Sequence, residues 1–278
     1  MKLLVGYDGS QGGRDALELA RVLGGSMGAS ALVVTVLPYG RMPIPYALLG
    51  DGEAAEAEPL FEQARRALEG IEVRTRAYGA SSPAAVLNDL AEKEEVDTIV
   101  IGSPHRGTIG RALIGSVAEG LLHGAPCDVV TAPRGYAEER HERLAVIGVA
   151  YDGTPESKVA LDRAQQVGRA NRSTLRIFTV SEPPVAVPGV AGYTPPIVPD
   201  ADRVLAEGVK AVEFELGAEG RELSGPAASV LAEACEEGVD LLVVGSRGYG
   251  PVMRVLLGSV STKLIHLAPC PVLVVPRP

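Results

Sequence analysis

The sequence predicts an α/β protein in which one parallel-sheet domain occurs twice. Three observations carry this expectation. The segment Gly102–Pro133 (GSPHRGTIGRALIGSVAEGLLHGAPCDVVTAP) recurs without a gap as Gly245–Pro276 (GSRGYGPVMRVLLGSVSTKLIHLAPCPVLVVP), at an offset of 143 residues. Short apolar runs alternate with stretches of helical periodicity, the pattern of buried parallel strands joined by helical crossovers. The 278 residues accommodate two domains of roughly 140 residues, each large enough to bury its own core.

Each element of the first copy follows from its residues. Leu3–Tyr7 is apolar and runs into an Asp8-Gly9 turn, which makes it the first strand. Gly12–Leu23 places Ala16, Leu19, Ala20 and Leu23 on one helical stripe. Ala31–Leu37 is the second strand, rich in β-branched residues. Ala54–Leu68 carries Leu60, Ala64, Ala67 and Leu68 at helical spacing, and Ile71–Ala77 is the third strand. Ser82 is the expected N-cap of a helix over Pro83–Lys93, with proline at its first position. Thr98–Ile101, a short helix at Val117–His123 and a last strand at Asp128–Ala132 complete the copy. Five strands alternating with helices predict a parallel sheet covered on both faces.

The second copy repeats this order from Val146-Ile147-Gly148-Val149-Ala150-Tyr151-Asp152-Gly153-Thr154. It departs at Glu182–Asp200, where six prolines and two glycines predict a loop. Its next helix and third strand fall within Ala201–Leu223. The expected domains are residues 1–133 and 144–278, joined by a polar linker over 134–143.

With 46% apolar and 22% charged residues, the composition is that of a soluble globular protein. The net charge of −9 argues against a nucleic-acid partner but leaves room for a small anion held by local dipoles. No apolar run approaches the ~20 residues that span a bilayer. The amino terminus reaches Asp8 and Gly9 too early for a signal peptide, so the expected location is the cytoplasm, without a membrane partner. The cysteines Cys127, Cys235 and Cys270 form no Cys-x-x-Cys pair and read as small buried residues, a redox role being the alternative. His123 and His266 read as helix-ending residues near the negative dipole end, with no second ligand at a metal-binding spacing.

In an open parallel sheet, ligands bind at the carboxyl ends of the strands, near the switch in strand order. Both Tyr-Asp-Gly turns and both Gly-Ser-x-x turns are expected there. In the second copy, Gly245-x-x-Gly248 is followed by nine residues and then Gly258-Ser259, opening a helix at Val260. Glycines let the backbone approach a ligand closely, and successive N–H groups at a helix start suit phosphate oxygens. Arg247 and Arg254 lie in the same loop. Tight turns and a helix cap account for the same residues without a ligand.

These residues, with the ending Ala-Pro-Cys-Pro-Val-Leu-Val-Val and the opening Val-Ala-Tyr-Asp-Gly-Thr, resemble the universal stress protein family across both halves. The resemblance implies two Rossmann-like domains of the adenine nucleotide alpha hydrolase type, each with a five-stranded parallel sheet. It implies ATP binding where the motif is kept, with a divalent cation such as Mg2+ able to accompany the phosphates. It also implies dimer-like packing of two domains through their last strands; a tandem chain can supply both, and a homodimer of chains is a further possibility. Carried over, it places Asp152 at the ribose and adenine end, the Val180 backbone at adenine, and Gly245, Arg247, Gly248, Gly258, Ser259 and Val260 around the phosphates and ribose. The alternative for Asp152 is a turn-capping residue before Gly153. The first-copy positions are Asp8, Val36, Gly102, His105, Gly115, Ser116 and Val117. His105 replaces the second glycine of the signature, and a side chain there costs roughly 1–2 kcal/mol if the turn needs positive φ. Gly107 can partly replace the missing glycine, and Arg106 and Arg111 are near.

The expected function is that of a non-enzymatic, ATP-binding regulator of the stress response. Two alternatives come from other classes. Ser10-Gln-Gly-Gly-Arg-Asp15 resembles the Ser-Gly-Gly-x-Asp-Ser loop of PP-loop ATP-utilising enzymes, but with an inserted residue, and the chain has no evident nucleophile–base pair. A nucleotide-free interaction module would use the Pro-rich stretch at Glu182–Asp200.

Overall fold

A computed structural model of the chain describes residues 1–37, 47–48, 55–103, 116–122, 124–181, 200–246 and 259–276. The first half runs β1 (Lys2–Gly6), α1 (Gln11–Met27), β2 (Ser30–Leu37), β3 (Ala47–Leu48), α2 (Glu58–Ala67), β4 (Glu72–Gly79), α3 (Pro83–Lys93), β5 (Thr98–Gly102), α4 (Ser116–Leu122) and β6 (Asp128–Ala132). The second runs β7 (Val146–Ala150), α5 (Pro155–Asn171), β8 (Thr174–Ser181), α6 (Ala201–Lys210), β9 (Ala218–Ser224), α7 (Ala227–Cys235), β10 (Leu241–Gly245), α8 (Ser259–Leu267) and β11 (Val272–Val275).

The helix starts obey their caps. The Ser10 hydroxyl accepts from the Gly13 N–H, Ser82 from Ala85 and Thr154 from Ser157. Helix α1 outruns its expected Gly12–Leu23 span and ends where Gly28 adopts φ +58. Helix α2 starts later than the expected Ala54, after a single 3-10 turn at Ala55–Ala57.

The two five-stranded parallel sheets join along their last strands, as the resemblance implies, and with the short β3 they form one sheet of eleven in the order β3-β4-β2-β1-β5-β6-β11-β10-β7-β8-β9. Within each half the five main strands are parallel. The short β3 is an additional antiparallel edge strand that runs beside Tyr78 and Gly79 of β4. The halves meet where β6 and β11 pair antiparallel, Val130 opposite Leu273 and Val129 opposite Val274. The last strands of the two copies are therefore the seam, and one chain supplies both sides of it.

Alternate residues of each strand enter two cores, one on each face of the sheet. Leu4, Ile99, Val129, Leu242 and Val274 belong to one face; Leu3, Val5, Val130, Ile147 and Leu273 belong to the other. Both cores cross the seam, so the halves share their apolar interior.

The expected linker is not a free tether. The Asp15 carboxylate on α1 accepts from the Gly135 and Ala137 N–H groups at 3.0 and 2.9 Å. Glu18 accepts from the His141 N–H, and Arg21 donates to the His141 carbonyl and to Glu18. Tyr136 is buried and stacks on the His141 ring with centroids 3.9 Å apart. Residues 134–143 are a strap fastened to α1.

Candidate functional site

In each half the strand order reverses beside the first strand. The chain goes from β1 outward through β2 and β4, then returns to β5 on the other side; the second half does the same from β7. A crevice is expected at the carboxyl ends of β1 and β5. The structure has one there, with a volume of about 360 Å³, which falls in the range of roughly 300–1,000 Å³ typical of small-molecule sites. Its apolar wall is made by Val34, Val36, Leu87, Ile101 and Val117, and its polar end by Asp8, Ser10, Gly12, Gly13 and Ser103.

Local chemistry sets that polar end. Gly9 sits at φ +79, so the β1–α1 turn needs glycine. The Asp8 carboxylate accepts from the Ser10 N–H at 3.0 Å, and Ser10 then caps α1. A Cβ on Gly13 would lie 2.9 Å from an Asp8 carboxylate oxygen, so the bare backbone of Gly13 is what lets Asp8 lie against the helix start. Tyr7, at the end of β1, donates its hydroxyl to Gln63 on α2 at 2.8 Å. Burial is the largest influence on that phenol and raises its pKa.

The second half repeats this framework. Gly153 has φ +78, and Asp152 accepts from the Thr154 N–H at 3.1 Å and from its hydroxyl at 2.5 Å. The turn-capping reading of Asp152 therefore holds, and Asp8 shares it; both remain solvent-exposed. Val36 and Val180 occupy matching places near the ends of β2 and β8, partly buried against the same core. Val260 is also partly buried, and Ser259 is exposed at the start of α8.

Gly102 and Gly245 have a cause that spacing alone did not reveal. A Cβ on Gly102 would lie 1.9 Å from the Gly12 carbonyl oxygen; one on Gly245 would lie 2.7 Å from the Glu156 carbonyl oxygen. Each glycine lets the fourth long strand of its half touch the first turn of the first helix. This contact closes the floor of the crevice in the first half, where both Gly12 and Gly102 line it. Of the expected residues, Asp8, Val36, Gly102 and Val117 come together in one cleft. Arg247, Gly248, Gly258, His105 and Gly115 lie outside the described residues, as do Arg106, Gly107, Arg111, His123, Arg254 and positions 182–199 of the Pro-rich stretch. The backbone of Ser116 opens α4.

The sequence reading missed Ser10, Gly12, Gly13 and Pro83 as cleft residues, and Asp15 as the buried anchor of the strap. The doublet Gly12-Gly13 inside a helical stretch was the available signal, since glycine there costs helix stability unless close packing requires it. His266 ends α8 as expected, and burial lowers its pKa. No group of three or more His, Cys, Asp or Glu able to hold a metal occurs among the described residues, and none of their helices is long and apolar enough to cross a membrane.

Comparisons with known proteins agree with this architecture. The model of the universal stress protein family matches residues 1–133 and 145–276. A universal stress protein of Mycobacterium tuberculosis (strain ATCC 25618 / H37Rv) is 30% identical over 299 aligned positions, covering 99% of this chain and 100% of that protein. Universal stress protein YxiE of Bacillus subtilis (strain 168) is 37% identical over 141 positions, 46% of this chain and 95% of its own length. The crystal structure of a universal stress protein from Archaeoglobus fulgidus DSM 4304 has the same fold, with a TM-score of 0.71 at 24% identity, over 100% of this chain and 98% of that one. Two matches of one family model, a full-length relative and two copies of one strand, turn and cap arrangement lead to one conclusion: the chain belongs to the universal stress protein family, in a tandem two-domain form.

Proposed function

We propose that the protein is a cytoplasmic, ATP-binding regulator of stress responses that binds nucleotide without rapid turnover. The observation that carries this reading is the first-half crevice, which joins an apolar wall to a polar, glycine-lined helix start at the switch in strand order. Val34, Val36, Leu87 and Ile101 suit the flat apolar face of adenine; Asp8 suits ribose hydroxyls. The phosphates would extend toward the Gly-Ser signature, with Gly102, His105, Gly115, Ser116 and Val117 as their surroundings in the first half. Asp152, Val180, Gly245, Arg247, Gly248, Gly258, Ser259 and Val260 form the counterpart. A bound nucleotide supplies charge that Mg2+ balances, and no step of bond cleavage is assigned to it. Residues 1–133 and 144–278 act as the two binding units.

The test is calorimetric titration of nucleotide-free protein with ATP and Mg2+. The expected result is saturable binding that Ser259→Ala and Val117→Phe each weaken, Ser259→Ala by removing a donor and Val117→Phe by narrowing the crevice. Unchanged affinity in Ser259→Ala removes that residue from the site. Absence of any binding by ATP, ADP or AMP overturns the proposal in favour of a nucleotide-free interaction module. Release of ADP at many turnovers per minute overturns the regulator in favour of an enzyme.

A further inference from the structure

The first half holds a second cavity, of about 700 Å³, between α1, α2 and the strap. Its volume falls in the range of roughly 300–1,000 Å³ typical of small-molecule sites. It shares only Tyr7 with the crevice at the strand ends. One face of α1, from Arg14 to Arg21, and one face of α2, from Gln63 to Ala67, form two of its walls. The buried Tyr7 and Leu17 supply apolar surface.

The second half shows what this cavity lacks. Tyr7 donates its hydroxyl to Gln63 at 2.8 Å, and Tyr151 donates to Glu207 at 3.3 Å. Each half then carries a cation four residues past the cap of its first helix, Arg14 after Ser10 and Lys158 after Thr154. Glu207 neutralises Lys158 at 3.0 Å. Gln63, which takes the place of Glu207, has no charge to offer Arg14. Arg14 makes no ion pair among the described residues: it donates to the Gly9 carbonyl at 2.8 Å and twice to Gln11 Oε1, at 2.9 and 3.2 Å. Three of the five guanidinium N–H groups are thus used on neutral acceptors and two are left. Gln63 Oε1 accepts from Tyr7, so the Gln63 amide also keeps its N–H donors. Arg140 of the strap lines the same cavity, again without an ion pair among the described residues. No lining carboxylate stands in for Glu207. Glu18 is bound by Arg21 and the His141 N–H, and Glu69, Glu138 and Glu139 form no ion pair with Arg14.

We propose that this cavity is a second binding site, for a small molecule with an apolar body and one oxyanion, carboxylate or phosphate. The oxyanion takes the two remaining Arg14 N–H groups and the Gln63 amide, and the body lies against Leu17 and Tyr7. A guanidinium suits either oxyanion, because its paired N–H groups match two oxygens at once. The second half offers no equivalent, since Glu207 already occupies the cation.

The experiment titrates the full, nitrogen-15-labelled chain with phenyl phosphate and, separately, with benzoate, and follows backbone amide signals by NMR. Benzyl alcohol, with the ring but no charge, is the control. The expected result is saturable shifts at Gly9, Arg14, Gln63 and Arg140 with at least one anion, and none with benzyl alcohol. A response to phenyl phosphate alone assigns phosphate esters as the ligand class, and a response to benzoate alone assigns carboxylates. Arg14→Gln and Gln63→Glu should each weaken binding about tenfold or more. Arg172→Gln, which removes an exposed arginine at the end of α5, should leave it unchanged. Gln63→Glu is the sharper variant, because it installs a pairing that the second half already tolerates; an unchanged thermal midpoint checks that the fold is kept. Saturating ATP with Mg2+ should not displace either probe. Absence of saturable shifts with both anions, shifts centred on the strand-end crevice and displaced by ATP, or parental affinity in Gln63→Glu would overturn the proposal.

Discussion

The seam between the halves contains one buried carboxylate whose titration is measurable. Asp128 opens β6, is 2% exposed, and lies 2.6 Å from Arg163 Nε on α5 of the other half. This is a charge contact without aligned hydrogen bonding: neither Asp128 oxygen has a hydrogen-bond partner among the described residues. Burial pushes the carboxyl up from 3.8 to about 7; Arg163 opposes this and Asp97 adds to it. A shift of about three units corresponds to about 4 kcal/mol at 1.36 kcal/mol per unit. The sign follows from proton binding. The folded protein holds this proton more tightly than the unfolded chain, so stability rises as pH falls from about 7 toward 4 and the penalty is fully present above 7. Asp128→Asn removes the ionisable group. Arg163 is left without its partner, but its side chain is 34% exposed, so water can solvate the guanidinium and the usual cost of an orphaned buried charge is small. The prediction is that urea unfolding at pH 8 finds Asp128→Asn more stable than the parent, by up to about 4 kcal/mol. At pH 5 the advantage should shrink to about 1.6 kcal/mol: folded Asp128 is then protonated, while the unfolded carboxyl is still mostly ionised 1.2 units above its ordinary 3.8. A difference that does not change between pH 5 and 8, or an Asn variant less stable at pH 8, would refute the reasoning. Position 271, the counterpart of Asp128, is proline, so the effect belongs to one side of the seam.

Three further outcomes follow from the same contacts. Gly102→Ala drives a Cβ into the Gly12 carbonyl and should cost at least the ~1–3 kcal/mol of ordinary overpacking, with Gly245→Ala milder; equal denaturation midpoints for both variants and the parent would sink this account of the two glycines. Asp15→Ala strands the Gly135 and Ala137 N–H groups and should cost about 3 kcal/mol; limited proteolysis should then cut within residues 134–143, where the parent resists. Thr154→Ala removes the α5 cap and should cost about 1 kcal/mol, read from the shift in thermal midpoint.

Much of the fold was legible because strand and helix periodicities are local. The run Asp128–Ala132 and the Ser82-Pro83 helix start appear in the structure at the residues expected. The duplication was legible for the same reason, since both copies satisfy one set of turns and caps. Strand β3 was not, because two residues carry no usable period. The strap was hidden as well: Arg134–Arg143 is polar by composition, and only the nearness of α1 gives its N–H groups the Asp15 and Glu18 carboxylates as partners.

The candidate site divides along the same line. The Asp-Gly turns and the glycine-rich signature could be read off, because positive φ and exposed N–H groups are properties of a few consecutive residues. The reason for Gly102 could not, since the atom that excludes a Cβ belongs to Gly12, ninety residues earlier. Nor did spacing place Asp128 against Arg163. The sequence by itself determined two copies of a parallel α/β unit and a repeated glycine-rich segment, through periodicity, turn chemistry and resemblance. Only the tertiary structure decided that the last strands of one chain pair with each other, antiparallel and in a fixed register, and which groups from distant segments share a buried space. Contacts of that kind are fixed by packing, and packing has no local signature.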